Sequence, residues 1–143
     1  MTDTLTTEKR SELMSRIRSK NTRPELIVRR LLHSMGFRFR LHRADLPGKP
    51  DIVLARYGTV VFVNGCFWHG HSCPRGKRPS SNRKFWDEKI EKNIGRDRQT
   101  CRKLRCNGWH VLTIWECQTK NTDTLRRKLQ RIENNGEKAT QSN

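Results

Sequence analysis

The sequence predicts a small α/β domain in which a mixed central sheet is flanked by helices, and three observations predict it. The apolar period switches between helical and alternating spacing along the chain. The resulting order is a helical region, three or four strands, a helix, a strand and a helix, which makes a layered α/β arrangement. The length of 143 residues allows one domain and little else.

Each element has its own signal. Residues 1–8 are polar and expected to fray. From about Glu8, Leu13, Met14 and Ile17 recur at helix-compatible spacing among Arg10, Arg16, Arg18 and Lys20, a helix suited to lie along phosphates. Thr22-Arg23-Pro24-Glu25 reads as a capping box with Pro early in the first turn, opening a second helix that stops at Gly36. Phe37 and Phe39 then alternate with Arg38 and Arg40, the period of a strand with one apolar face. After the turn of residues 46–50, the short apolar runs 52–55 and 59–63 flank Arg56-Tyr57-Gly58, predicting a hairpin buried in mid-sheet.

Residues 64–82 are irregular and basic, and a loop of that length is as a rule functional or braced by metal. A charged helix follows from Arg83 to about Cys106, with Phe85, Ile90 and Ile94 at helical spacing and Asn107-Gly108 as its stop. Residues 109–115 alternate as one more strand, and Leu125, Leu129 and Ile132 form the apolar stripe of a last helix. The domain is thus expected over residues 9–133, with a mobile polar tail over 134–143.

Charge decides the partner class. The chain carries 31 Lys and Arg against 14 Asp and Glu, a net charge of +17, with 32% hydrophobic residues. Its mean hydropathy is −0.94 and its pI about 10.7. Such a composition lies close to that of chains whose apolar burial fails to offset conformational entropy, so a polyanion that neutralises the self-repulsion is the natural partner. Nucleic acid leads that class, because Lys and Arg on phosphates release condensed counterions. No run approaches the roughly 18 apolar residues of a membrane span, and no export signal is visible, so a cytoplasmic protein is expected.

Five Cys, at 66, 73, 101, 106 and 117, argue for metal or free thiols rather than a disulfide framework. Cys101 and Cys106, on the later helix, are expected to pack in the interior. Cys66 to Cys73 places two thiols and two imidazoles in eight residues, and Cys117 arrives just after the last strand. Cys66, His71, Cys73 and Cys117 would supply a closed tetrahedral zinc site, a structural brace for a thin core. The alternative is two small buried thiols and a free one. Phe67 and Trp68 flank the ligands, as large aromatics suited to stacking on or wedging between bases, or else to ordinary packing.

Asp51 opens a strand, where many metal-dependent nucleases place a first carboxylate, yet residues 60–64 carry neither a second acid nor a Lys. One carboxylate can hold Mg²⁺ with help from backbone carbonyls, waters and phosphate oxygens. His69, left over once His71 is assigned to zinc, is then the candidate general base. Glu25 is either the acid of the capping box or an orienter of metal-bound water.

The runs Leu46-Pro47-Gly48-Lys49-Pro50-Asp51 and Phe62-Val63-Asn64-Gly65-Cys66-Phe67-Trp68-His69-Gly70-His71-Ser72-Cys73-Pro74, with Phe85-Trp86 and Arg96-Asp97-Arg98, closely resemble the very short patch repair endonucleases. The resemblance extends from about Lys9 to Cys117. It implies a restriction-endonuclease-like fold and an enzyme that nicks DNA 5′ of the thymine of a T:G mismatch left by deamination of methylated cytosine. It implies Mg²⁺ on Asp51 and the Val63 carbonyl, His69 as general base, Glu25 and Asp97 on waters of the ion, and zinc on Cys66, His71, Cys73 and Cys117. It further implies that Phe67, Trp68 and Trp86 form a wedge beside the mismatch. Met14 then probes the opposite groove, while Lys89 and Asn93 read the mismatched pair. A monomer acting on mismatched duplex DNA follows, with mismatch-repair proteins as further partners and the bacterial nucleoid as the place of action. The chain departs from the family at Asn64, where His is usual; Asn can hydrogen-bond a phosphate or a metal-bound water but holds no titratable proton near neutral pH. The rivals are a catalytically impaired mismatch-binding protein, a restriction-type nuclease of other specificity, and a structural ribosome-associated protein.

Overall fold

The computed structural model describes residues 22–141, and side chains over residues 22–134. The first helix of the sequence reading, with Met14, lies outside the described residues. The elements are α1 (Arg23–Ser34), β1 (Arg40–Leu41), β2 (Ile52–Leu54), β3 (Thr59–Asn64), α2 (Arg83–Cys106), β4 (His110–Trp115) and α3 (Thr122–Gln141). They build one four-stranded mixed sheet in the order β1-β2-β3-β4. β1–β2 and β2–β3 pair antiparallel, and β3–β4 pair parallel, joined by the crossover helix α2.

Period two along the strands sorts the core into two layers. Ile52 and Leu54 of β2, Val61 of β3 and Ile114 of β4 face Val28, Leu32, Leu125 and Leu129 of α1 and α3. Their neighbours Val53 and Val60 turn the other way, with Leu104 of α2, Trp109 and Val111. Because the strands are covered on both faces, β2 reads as an uninterrupted apolar run.

Both helix stops read from the sequence are Schellman closures. Gly36, at φ +87°, lets Gly36 N–H donate to His33 O and Phe37 N–H to Leu32 O at 3.1 and 3.0 Å. Gly108, at φ +89°, repeats this with Arg105 O and Leu104 O, both at 3.0 Å. The first closure corrects the strand expected from Phe37: that ring is buried in the core as the apolar contact of the cap, and only Arg40–Leu41 pair as β1. The hairpin is present, its connection a single 3-10 turn over Ala55–Tyr57. At the other end, α3 continues to Gln141, through the stretch expected to be a tail. No described helix is long and apolar enough to cross a membrane.

Candidate active site and metal centre

The antiparallel pairing of β2 with β3 brings Asp51, one residue ahead of β2, beside the end of β3. There Asp51 Oδ2 accepts the Val63 N–H at 2.7 Å. Burial pushes the Asp51 carboxyl up to about 6; the Val63 N–H and the positive groups at His42 and Arg29 oppose the rise, and Glu25 adds to it. The site therefore holds an acid that is costly to ionise without a cation.

Glu25 is where the sequence reading needs correcting. Thr22 does cap α1, its hydroxyl accepting the Glu25 N–H at 3.4 Å. The Glu25 carboxylate does not complete the capping box but turns inward, 2% exposed, to His42 Nε2 at 2.6 Å and Arg29 Nη2 at 2.9 Å. Asp51, Glu25 and His42 each offer a ligand atom within 4.8 Å of the others. His42 is a residue that the sequence reading missed. It follows β1 with φ +48°, and its N–H donates to Asp51 O at 3.1 Å, a placement that no periodicity announces.

The loop after β3 folds back on itself through His69 N–H to Gly65 O and His71 N–H to Cys66 O, at 3.3 and 2.9 Å. Gly70, at φ +63°, presses this loop on α2: a Cβ there would lie 2.6 Å from Ile94 Cδ1. The turn gathers Cys66, His71 and Cys73, and the 3-10 turn after β4 adds Cys117, so that one ligand atom of each lies within 4.8 Å of the rest. Cys117 N–H donates to Cys66 Sγ at 3.4 Å, and Cys117 Sγ lies 3.6 Å from His71 Nδ1. Burial pushes the Cys66 thiol up to about 12. At Cys73 burial also acts upward, but hydrogen bonds from His71, Cys66 and the Gly76 and Arg75 N–H groups bring the thiol down to about 6. Three sulfurs and an imidazole nitrogen at this spacing fit a tetrahedral cation.

His69 lies between the two centres. Its Nδ1 pairs with Asp97 Oδ2 of α2. Trp115, the last residue of β4, stacks on His71 with ring centroids 4.2 Å apart and lies edge-on to His69 at 6.3 Å. A cavity of about 700 Å³ joins Asp51, Val63, Asn64, His69 and Asp97, with Lys49 and Arg96 on its walls. The chemistry available is that of a carboxylate cation site facing a histidine held by an acid.

A family model described as DNA mismatch endonuclease Vsr matches residues 2–75. The chain belongs to the Vsr family. It is accordingly a DNA endonuclease. Similar chains include the type II nicking enzyme V.XorIIP of Xanthomonas oryzae pv. oryzae, 51% identical over 132 residues, 92% of this chain and 97% of that one. V.NmeAIP, a type II nicking enzyme of Neisseria meningitidis, is 50% identical over 132 residues, 92% and 94% of the two chains. The DNA mismatch endonuclease Vsr of Escherichia coli K12 is 42% identical over 116 residues, 81% and 74%.

In this Vsr-family chain Phe67, Trp68 and Trp86 form one cluster. Phe67 meets Trp68 and Trp86 edge-on at 5.3 Å each, and the two indoles lie 5.9 Å apart. Trp68 and Trp86 are 6% and 4% exposed, so in the free chain they are packed and Phe67 is the part-exposed ring. Lys89 Nζ lies over the Trp68 ring at 5.4 Å, and Asn93 Nδ2 donates to Trp68 O at 3.0 Å. Cys101 and Cys106 depart from the expected interior packing: Cys101 is half-buried, Cys106 is exposed, and both line a second cavity of about 790 Å³. The apolar face of α2 ends at Leu104: Cys101 lies on that face one turn earlier but is only half-buried, and Cys106 lies off it.

Proposed function

We propose that this Vsr-family chain nicks one strand of duplex DNA on the 5′ side of the thymine in a T:G mismatch, in a set sequence context, and that the cut is Mg²⁺-dependent. The observation that carries this reading is the shared cavity: the buried Asp51 carboxylate opens onto the same space as the His69–Asp97 pair. The mismatch itself comes from the names of the family and of the Escherichia coli relative. A β2–β3 hairpin with its acid at the strand start, α2 across one face and a parallel β4 support a restriction-endonuclease-like fold.

Asp51, with the Val63 carbonyl, is the place for the magnesium ion, and the desolvated carboxylate fits a cation. When bound, Mg²⁺ supplies Lewis-acid stabilisation of the charge that builds on the phosphoryl oxygens and lowers the pKa of a coordinated water. The protein does the rest. Asp97 accepts the hydrogen bond of His69 Nδ1–H, fixing the tautomer in which Nε2 takes a proton from the attacking water. Asn64 donates from its amide to the scissile phosphate, Lys49 and Arg96 hold the flanking phosphates, and Glu25 orients water at the Asp51 side.

Zinc on Cys66, His71, Cys73 and Cys117 fixes the loop that carries His69 between two of its ligands. Phe67 leads the wedge, Trp68 and Trp86 following when the cluster opens against a mismatched step, which unstacks at lower cost than a paired one. Lys89 and Asn93 then exchange their contacts to Trp68 for base edges. Met14 is assigned the opposite groove from sequence alone. One site in a monomer cuts one strand.

A nicking assay on duplexes with a T:G or a C:G pair, in Mg²⁺ and in EDTA, tests this reading. The expected result is a single-strand break only at T:G and only with Mg²⁺. Equal cutting of the matched duplex, or binding with no Mg²⁺-dependent break, overturns it.

A further inference from the structure

The reading above uses Asp51 and Glu25 and leaves a third group of the same cluster idle. His42 Nε2 lies 2.6 Å from Glu25 Oε1, and ligand atoms of Glu25, His42 and Asp51 all fall within 4.8 Å of one another. Two features single out this imidazole from a surface histidine that happens to pair with an acid. His42 has a left-handed backbone, φ +48°, a conformation uncommon outside Gly and one that His, like Asn and Asp, adopts more often than other residues do. Its N–H is tied to Asp51 O at 3.1 Å, so the backbone that bears the carboxylate also sets the ring.

Charge points the same way. Arg29 lies 2.9 Å from Glu25 Oε2 and 3.5 Å from His42 Nε2, which balances one carboxylate of the cluster and leaves the other. Glu25 Oε2 is buried and has no hydrogen-bond partner among the described residues, although it is within ion-pair distance of Arg29. An imidazole beside two carboxylates is a donor set with a nitrogen in it.

We propose that His42 is a ligand, through Nε2, of the divalent cation held at Asp51, and that it makes the site favour Mn²⁺ over Mg²⁺ in affinity. This rests on Asp51 being the cation ligand. Oxygen-only sites suit Mg²⁺, whereas an imidazole nitrogen raises affinity for first-row transition metals, of which Mn²⁺ is the one closest to Mg²⁺ in its tolerance of carboxylate and water. The contact now made between Nε2 and Glu25 Oε1 is the one the ion replaces, each atom turning to face it.

The test is Mn²⁺ binding to the full chain, its thiol centre filled with zinc, followed by spin-echo EPR without DNA. The wild type should show ¹⁴N modulation from a coordinated imidazole. His42→Gln, which keeps a donor for Glu25 but no imidazole, should lose it, and its Mn²⁺-over-Mg²⁺ affinity ratio should fall roughly tenfold or more. His69→Ala should keep the modulation, which assigns the signal even if the His42 variant is unstable. Wild-type Mn²⁺ binding that Asp51→Asn abolishes, but that shows no ¹⁴N modulation, overturns the role of His42 and leaves the Asp51 reading intact. Modulation that persists in His42→Gln also overturns it. Unchanged Mn²⁺ binding in Asp51→Asn removes the Asp51 reading, and this inference with it.

Discussion

In the proposed mechanism Asp51 stands where catalysis and stability pull in opposite directions. Its carboxyl is raised to about 6 by burial, whereas in the unfolded chain it titrates near 3.8. A carboxyl whose folded pKa is raised favours the folded state only while protonated, so the cost of ionisation sets in as pH rises from about 4 to about 6 and is complete above that. The shift corresponds to at most about 3 kcal/mol in the metal-free chain. Asp51→Asn keeps an acceptor for the Val63 N–H and should raise the metal-free melting temperature by several degrees at pH 7.5, with no gain at pH 4. It should also abolish cleavage and the stabilisation by divalent cations. Calorimetric scans at both pH values decide; a variant less stable at pH 7.5 would sink the argument. In the proposed mechanism Asp97 acts through its neighbour His69. Asp97→Asn should lower kcat about a hundredfold or more with KM for DNA and bound zinc little changed, because the wrong tautomer of His69 then faces the water. Asn64→His, which adds a titratable group where the proposed mechanism puts the scissile phosphate, should raise kcat by about tenfold and put a new ionisation near pH 6.5 into the rate profile. A flat profile with an unchanged rate would mean that Asn64 only holds the phosphate.

At the scale of elements, the sequence was most legible where backbone rules act locally. Gly36 and Gly108 marked two helix ends because the left-handed turn of a Schellman closure excludes most side chains, and α2 came out at the expected bounds. The same rule explains the error at Phe37, whose alternation with Phe39 looked like a strand although the cap had already claimed the ring. Side-chain direction across elements was not legible. Thr22 and Glu25 spelled a capping box, yet the carboxylate had better partners in His42 and Arg29, which only the packing of α1 against the chain after β1 brings near. The loop between β3 and α2 was recognised by its donors, and its register on α2 depends on Gly70. Gly70→Ala should collide with Ile94 and strain a positive φ, costing about 1–3 kcal/mol. Because the displaced loop carries both His69 and His71, cleavage and zinc retention should fall together. Loss of activity with full zinc content and an unchanged melting temperature would separate them and refute the coupling.

For the whole molecule the question is what offsets a charge of +17 on 143 residues. The two apolar layers are complete but small, and the side of the sheet under α2 is the thinner, with Val53, Val60 and Leu104 as its buried members. The thiol centre ties that side together, since Cys66 follows β3, Cys117 follows β4 and the loop between lies along α2. A structural zinc ion contributes on the order of 10 kcal/mol to folding, comparable with the whole stability of a domain this size. Zinc removal by a chelator with high thiol-site affinity should therefore lower the melting temperature by well over ten degrees, not merely slow the enzyme. Duplex DNA should restore part of that loss at low salt and much less at 0.5 M salt, because phosphates relieve the self-repulsion only while counterion release favours binding. Melting curves of the zinc-loaded and stripped chain, with and without a matched duplex, read both effects at once. If stripping one zinc per chain left the melting temperature in place, the metal would be no brace, and the basic surface would have to be held by the apolar layers alone. If DNA stabilised the stripped chain equally at both salt concentrations, the contact would owe little to charge, and the composition would have misled from the start.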